Sequence, residues 1–425
     1  MRCGSRFGLP VLAFRDMVST AFKESLQLLR TKRFGTFCVA SLLSNIGTSA
    51  QQVAQPWLLL SLGASSFIVG LDNFALGAPI WVLSMAGGVL ADRADRRLVI
   101  ARFQSIQMFC PVLLVALLIA GTVRPWMVVA ISLVVGITDA LSMPSFQSIV
   151  PSIVPRDRIS AGLALNATQF NLSRILGPAL AGMLIVGIGA VGCFAVNAVS
   201  YLPFIAVALW ILPHVARRGT IAHRAAGHHL LDGVREVLRA PQLRGAVLTV
   251  FATSLLCGPL ITFCPLLVRD IYHGDAGHFS IAVAAFGVGG LLGAIALLFV
   301  DGASDRRRLS SWLAVGYGAV TMLVALSPWF VAFAALLGLA GIAMSISNTS
   351  ANTVAQAISP ETLRGQTVSL YMLAIRGGTS LGGLLTGASI GWFGIREALL
   401  INGALAVGVQ LLIGRTWRRA EVAAA

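Results

Sequence analysis

The ten residues Gly88-Val89-Leu90-Ala91-Asp92-Arg93-Ala94-Asp95-Arg96-Arg97 carry five charges between two apolar segments. Segments 66–91 and 98–121 each provide the roughly 20 apolar residues that a helix needs to cross a bilayer. Short arginine-rich loops between apolar segments are typical of the cytoplasmic side of membrane proteins. The ten residues are therefore interpreted as a cytoplasmic loop that joins two membrane-spanning helices.

The composition of the whole chain also points to the membrane. Hydrophobic residues make up 57% of the 425 residues and charged residues only 11%, whereas a soluble domain carries about 25% charge. So small a charged fraction cannot cover a water-facing surface, which excludes a soluble globule, a disordered chain and a coiled coil. The net charge of +15 comes mainly from arginines in loops and tails, so we expect no nucleic-acid partner.

Twelve apolar spans follow one another along the chain, and the polar stretch 213–243 divides them six and six. The spans cover roughly 34–62, 66–91, 98–121, 126–150, 160–187, 190–212, 244–268, 279–300, 310–326, 329–354, 362–390 and 396–414. The sequence therefore predicts an all-α membrane protein with twelve transmembrane helices in two six-helix bundles, 34–212 and 244–414. Residues 1–33 and 415–425 are the expected tails, and 213–243 the expected central loop.

The orientation of these spans follows from the basic residues in alternate loops. One set of loops holds fifteen arginines and the tails add ten basic residues, whereas the other set holds only Arg124, Arg269 and Arg396. Because positive charge is retained on the cytoplasmic side, both termini and the central loop are expected in the cytoplasm.

The two sets of six spans are an internal repeat. A shift of 205 residues aligns Pro155 with Pro360, Gly177 with Gly382, and Asn197 with Asn402. Six plus six spans with both termini on one side give two parallel repeats related by an axis along the membrane normal.

The loop also resembles a known signature. Gly88, Asp92, Arg93, Arg96 and Arg97 match G-x-x-x-D-R-x-G-R followed by Lys or Arg, the loop signature of the major facilitator superfamily. Asp95 stands where the family has glycine, which leaves the turn geometry open. The resemblance to the superfamily as a whole covers about residues 30–415. Spans four to six, with the motifs Pro144-x6-Pro151-x3-Pro155 and Arg174-x2-Gly177-Pro178, are similar to enterobactin-exporter-like and macrolide-efflux-like members. That resemblance implies export of a bulky organic molecule driven by the proton gradient.

The same resemblance assigns a conformational latch. In the family this loop meets the start of span eleven, here Arg364, when the cytoplasmic side closes, and Asp305 gives a weaker second contact. The expected latch residues are Gly88, Asp92, Arg93, Arg96, Arg97, Asp305 and Arg364.

Span five resembles, in part, the antiporter motif G-x-x-x-G-P-x-x-G-G around Gly177, Pro178 and Gly182, with Ser173 and Ala181 in place of glycines. Small residues allow close helix contact, and proline removes one backbone hydrogen bond. Simple helix packing and a specific role in export both remain open for this motif.

Four charged residues lie well inside the spans: Asp72, Asp139, Arg174 and Arg376. Each costs about 2.5–3.5 kcal/mol at a helix centre. We expect Asp139 to pair with Arg174, either for proton coupling or as a structural ion pair. Proton coupling and helix packing remain alternatives for Asp72, as do contact with a substrate anion and structural pairing for Arg376.

Polar side chains form stripes on two spans. On span one they occupy one face at 3.6 residues per turn, and span ten carries a similar face. The residues are Asn45, Thr48, Ser49, Gln52, Gln55, Asn348 and Asn352. Such a face must meet water, substrate or another helix, so these residues are candidates to line a cavity or to bond between helices.

These observations favour a transporter over other membrane proteins. The sequence contains neither a G-x-x-x-x-G-K motif followed by Ser or Thr nor an H-E-x-x-H motif, so we expect no enzyme, no cofactor and no metal. The expected function is proton-coupled export of a small organic molecule (a drug, siderophore or secondary metabolite) by a monomer in the bacterial cytoplasmic membrane. The alternatives are an importer or uniporter on the same fold and a membrane interaction or assembly protein that transports nothing.

Overall fold

The computed structural model describes residues 27–155, 158–212, 235, 239–297, 303–359 and 364–422. Within them the chain forms helices α1 to α12 and connecting turns. The helices are α1 Lys32–Ser61; α2 Ser66–Gly77, continued as Pro79–Arg93; α3 Arg96–Ile119; α4 Pro125–Ile153; α5 and α6 in the run Ile159–Trp210; α7 Pro241–Leu256, continued through Pro259–Thr262, Cys264–Leu266 and a π-helical turn Leu267–Ile271; α8 Ala276–Ala296; α9 Ala303–Leu326; α10 Phe330–Ile358; α11 Arg364–Phe393; and α12 Ile395–Val422.

The hairpins α5–α6 and α11–α12 turn at equivalent glycines. Gly189 has φ +71° and Gly394 has φ +90°, in the left-handed region that glycine adopts without steric cost. The two positions are 205 residues apart, the same shift that aligns the repeat in the sequence. The predicted repeat therefore corresponds to a repeated backbone turn, and Gly189 separates α5 (159–188) from α6 (190–210).

Nine of the helical stretches in the described residues are long and apolar enough to cross a bilayer. The run 176–210 counts once although it contains α6 and part of α5, and α1 and α11 are not among the nine. Polar residues make α1 and α11 less apolar than the nine. The helix α1 carries the amide and hydroxyl stripe, and α11 carries Arg376 with several Ser, Thr and Gly residues. The all-α membrane architecture is confirmed.

Besides a hydrophobic cluster that both halves share, each half has a core cluster of its own. In the first half the Phe146 and Phe204 rings stack at 4.9 Å, and Phe37 meets Phe204 edge-on at 5.7 Å. In the second half α7 packs on α11 and α12, and α8 and α9 pack on α10. The predicted N-terminal tail and central loop lie largely outside the described residues, whereas residues 415–422 of the predicted C-terminal tail continue α12 as helix.

The two halves meet at one end, which we call the arginine-poor end and define by the turns 62–65, 120–124, 272–275 and 327–329. There Trp57 of α1 stacks on Phe279 of α8 at 5.2 Å, and the Arg269 guanidinium donates to the Leu60 carbonyl at 2.8 Å. Away from that end, toward the opposite, arginine-rich one, the contact between the halves thins, since α11 packs closely along Ser66–Gly77 of α2 but makes only a small contact with Pro79–Arg93. The space between the halves therefore opens toward the arginine-rich end.

Candidate functional site

The centre of the molecule holds an ion pair between the two halves. The Arg376 guanidinium on α11 donates to the Asp139 carboxylate on α4. Asp139 is 13 residues past Trp126, so it lies about 20 Å along the helix from the arginine-poor end. The side chains are 32% and 34% exposed, so both reach the space that opens between the halves.

Close helix contacts flank the ion pair. The Trp81 ring on α2 lies directly against the backbone of Gly377, next to Arg376. One turn further, Ser380 lies against Gly77 and its hydroxyl donates to the Arg376 carbonyl at 2.8 Å. The ion pair thus lies where the packed α2–α11 contact ends and the open space begins.

This partner differs from the one expected for Asp139. The pair of Asp139 with Arg174 stays a prediction, and the ion pair that the structure describes for Asp139 is with Arg376, which the sequence did not predict. The reason is that α4 and α11 face each other across the two halves, a relationship that depth along a span does not show. The side chain of Arg174 lies outside the described residues.

Asp72 occupies a separate, buried polar site within the first half. It is only 5% exposed. Gln55 Nε2 donates to Asp72 Oδ2 at 2.7 Å, and the Ser132 hydroxyl donates to Oδ1 at 2.7 Å. Gln55 Nε2 also contacts the Ser132 hydroxyl at 2.6 Å. The carboxylate therefore joins α1, α2 and α4.

A chain of hydrogen bonds runs from α6 to this carboxylate. Asn197 donates to Gln51 Oε1 at 2.6 Å, and Gln51 donates to Gln55 Oε1 at 3.3 Å. Thr48 donates to Asn197 Oδ1 at 3.4 Å and contacts the Tyr201 hydroxyl at 3.1 Å. All the amides in the chain donate toward Asp72, and bonds aligned in this way strengthen one another.

The predicted stripe on α1 has mixed surroundings. Thr48 and Gln55 belong to the hydrogen-bond chain, and Asn45 donates to Gln169 Oε1 on α5 at 3.3 Å. Ser49 packs against Gly177. Gln52 is exposed and lies on the face opposite the exposed residues Val39 and Leu43 of the same helix, so it projects toward the space between the halves.

On α10 the polar residues form hydrogen bonds within the helix and to its two neighbours α7 and α11. Asn348 Oδ1 accepts from Thr253 at 3.5 Å, and its carbonyl accepts from the Tyr371 hydroxyl at 2.7 Å. Asn352 Oδ1 accepts from Gln356 at 2.9 Å. These contacts connect α10 to α7 and α11.

The signature loop has a specific turn at Asp95. Asp95 is the N-cap of α3, and its carboxylate accepts from the Arg97 backbone N–H and from Arg97 Nε, both at 3.1 Å. Asp95 thus adopts an extended conformation (φ −66°, ψ 112°) and needs no glycine-like geometry. Arg96 Nε donates to the Ala91 carbonyl at 3.1 Å, and Arg93 is exposed.

Other latch candidates cannot be placed in the same detail. Gly88 has open space around its Cα, with nothing within 4 Å of an added methyl group. The side chains of Asp92, Asp305 and Arg364 lie outside the described residues, so the latch stays a prediction.

Gly177 and Gly182 of α5 lie at two helix contacts. An added methyl group on Gly177 would run into Ser49 of α1. Gly182 faces Ser280 of α8, whose hydroxyl donates to the Gly182 carbonyl at 3.0 Å. Pro178 is buried between them. The motif therefore includes one contact within the first half and one between the halves.

Sequence reasoning missed several residues of the site. Gln51, Ser132 and Tyr201 bond in the chain to Asp72, and Trp81 flanks the ion pair. Gln51 and Ser132 are polar residues inside apolar spans, and that signal was available. Trp81 could also have been identified as a candidate, because it is the one tryptophan that lies far from both ends of a predicted span.

Comparisons with known proteins agree with this architecture. A family model described as transmembrane secretion effector matches residues 23–424. The chain is 26% identical to the staphyloferrin A transporter of Staphylococcus aureus (strain NCTC 8325 / PS 47) over 386 residues, which cover 88% of this chain and 94% of the relative. It is 25% identical to the enterobactin exporter of Shigella boydii serotype 4 (strain Sb227) over 391 residues, covering 85% and 86%.

The fold matches solved transporters as well. The crystal structure of a mutant nucleoside transporter superposes with a TM-score of 0.73 at 12% identity, covering 91% of this chain and 100% of that one. At that identity the likeness concerns the fold alone. Because the family model matches nearly the whole chain, the chain is a membrane transporter of the major facilitator superfamily and belongs to its transmembrane secretion effector family.

Proposed function

We propose that this protein exports a small organic molecule from the bacterial cytoplasm in exchange for protons, acting as a monomer in the cytoplasmic membrane. The observation that carries the proposal is the ion pair between Asp139 and Arg376. It joins the two halves at mid-depth, facing the space between them. The arginine-rich end is taken as cytoplasmic on the basis of its loops, so the structure corresponds to an inward-open state.

The ion pair supplies a physical means of coupling. Asp139 holds Arg376 only while it is ionised, because a protonated carboxyl loses the charge attraction. Coupling requires a proton site whose occupancy depends on which side is open. In the inward-open state the pair is formed, so the proton has left and the cavity can accept substrate. Opening to the outside lets Asp139 take up a proton, and the protonated carrier returns inward.

The side chains that face the space between the halves suit a neutral or weakly charged, partly aromatic substrate. While they are paired, the negative charge of Asp139 and the positive charge of Arg376 cancel, so the pair has no net charge. Gln52 offers an exposed amide, and Trp81, which is 41% exposed, offers an aromatic face with a hydrogen-bond donor. Two relatives are named for siderophores, so iron-chelating metabolites are the first class to test.

The test is a measurement of accumulation in cells with and without the protein. Enterobactin, staphyloferrin A and the dye ethidium are loaded, and their retention is followed before and after a protonophore. We expect lower retention of at least one compound in expressing cells, with the difference abolished by the protonophore. Higher retention would favour an importer, and a difference that survives the protonophore would argue against proton coupling. Equal retention of every compound would leave the assembly-protein alternative in place.

A further inference from the structure

A groove of about 440 Å³ lies on the outer surface of the first half, between the start of α1 and the end of α6. Its lining includes Leu29, Arg30, Lys32, Val39, Leu43 and Val207. It lies at the arginine-rich end, on the side of α1 turned away from Gln52. The groove is therefore separate from the space between the halves.

The groove has two chemically distinct parts. Arg30 and Lys32 are exposed at its mouth, and the first turn of α1 contains no acidic residue. Further along, Val39 and Leu43 form an apolar wall and are 57% and 45% exposed. From Lys32 to Leu43 the helix rises about 16 Å, close to half of a hydrocarbon core about 30 Å thick.

Small residues and a proline create this recess. Gly35 and Ala40 line it, and the Leu29 carbonyl lies against the Cα of Gly35, where a methyl group would clash. That contact holds the turn before α1 and fixes Arg30 at the mouth. Pro203, inside α6, also lines the groove. Because proline has no backbone N–H, the helix lacks one of its regular hydrogen bonds at this position.

We propose that the groove binds an anionic phospholipid of the cytoplasmic leaflet. Arg30 and Lys32 hold the phosphate headgroup, and one acyl chain lies along Val39 and Leu43. Basic pockets between helices on the cytoplasmic side recognise anionic headgroups, and a zwitterionic lipid would gain less from the two cations. The proposal does not depend on the transported substrate.

Native mass spectrometry of the full-length protein with phosphatidylglycerol and phosphatidylcholine of matched chains tests the headgroup preference. We expect wild type to retain phosphatidylglycerol preferentially, and Arg30→Gln/Lys32→Gln to weaken its binding about thirtyfold, since each of the two basic residues contributes about 1 kcal/mol near anionic lipid. Arg308→Gln/Arg415→Gln removes equal charge from exposed sites in the other half and should keep the preference. Equal binding of both lipids, or equal loss in both variants, would overturn the proposal.

Photocrosslinking identifies the occupant. A benzophenone amino acid at position 39 of the protein in phosphatidylglycerol vesicles should label lipid, and the Arg30→Gln/Lys32→Gln background should reduce that label. Crosslinking to the protein's own residues 1–26 would assign the groove to the N-terminal segment and contradict lipid binding.

Discussion

Arg376 on α11 donates to Asp139 on α4, so the acid and the base at the centre of this protein belong to different halves of the molecule. An ion pair within one bundle would move with that bundle as a rigid unit. A pair between bundles changes whenever the halves rock against each other. Its formation therefore reports the state of the transporter, as a coupling element must.

The first prediction concerns the energetic coupling of this pair. Among the side chains that the structure describes, Arg376 is the one that bonds to the Asp139 carboxylate, so Arg376→Ala should lower thermal stability more than Asp139→Ala/Arg376→Ala does. A double-mutant cycle from thermal unfolding in detergent should give about 0.5–3 kcal/mol of coupling, the range for contacting residues. Additive effects of the two substitutions would show that the pair contributes nothing to this state.

The second prediction separates two glutamines on α1. Gln55→Leu removes a donor to Asp72 and leaves buried polar groups without a partner, which costs about 1–3 kcal/mol. We expect a lower unfolding temperature. Gln52→Leu, three residues earlier and exposed, should leave that temperature unchanged and alter the apparent affinity for the exported compound. Equal unfolding temperatures for both variants would contradict the assignment of the hydrogen-bond chain.

The third prediction assigns Asp72 a structural role. Asp72→Asn keeps one acceptor oxygen, and the Ser132 hydroxyl can accept from the new amide, so export and its protonophore sensitivity should be retained. Asp72→Ala should destabilise the first half by about 1–3 kcal/mol, because two donors lose their acceptor. Accumulation assays on both variants check this. Loss of protonophore sensitivity in folded Asp72→Asn would move the proton site to Asp72.

The fourth prediction concerns closure of the arginine-poor end. A side chain on Gly70 of α2 would run into the Gly383 carbonyl of α11, and overpacking costs about 1–3 kcal/mol. Gly70→Leu should therefore favour the outward-open state. At the same end, the Thr262 hydroxyl of α7 accepts from Asn73 of α2 at 2.9 Å. A cysteine replacing Thr262, in a background without the native cysteines, should react faster with an impermeant maleimide added outside.

Gly408→Leu is the matched control for that substitution, because Gly408 has no atom within 4 Å of an added methyl group. It should leave labelling at position 262 unchanged. If Gly70→Leu labels at the wild-type rate while the protein stays folded, the α2–α11 contact does not hold this end closed.

Much of the architecture could be predicted from sequence because its signals are local. A run of apolar residues determines a span, and the repeat placed Gly189 and Gly394 at equivalent turns. The depth of Asp139 followed from its distance to Trp126. Even the departure at Asp95 has a local explanation, since aspartate is a favoured N-cap residue.

The partner of Asp139 could not be predicted in the same way. Pairing across the halves depends on which helices face each other in three dimensions, and two arginines, Arg174 and Arg376, were available at suitable depth. The burial of Asp72 has the same origin, since its neighbours Gln55 and Ser132 come from two other helices. Amphipathic periodicity identifies a polar face, but it does not say whether that face meets a cavity or another helix.

The most direct test of the account is proton-driven efflux from proteoliposomes by wild type and Asp139→Asn. The vesicles are preloaded with the compound that the accumulation assay identifies, and efflux is timed into an acidic bath and into a bath of equal pH. We predict that the acidic bath accelerates efflux by wild type and leaves Asp139→Asn unaffected, while that variant still exchanges substrate. Acceleration of Asp139→Asn to the wild-type extent would contradict the proposal that Asp139 couples protons to export.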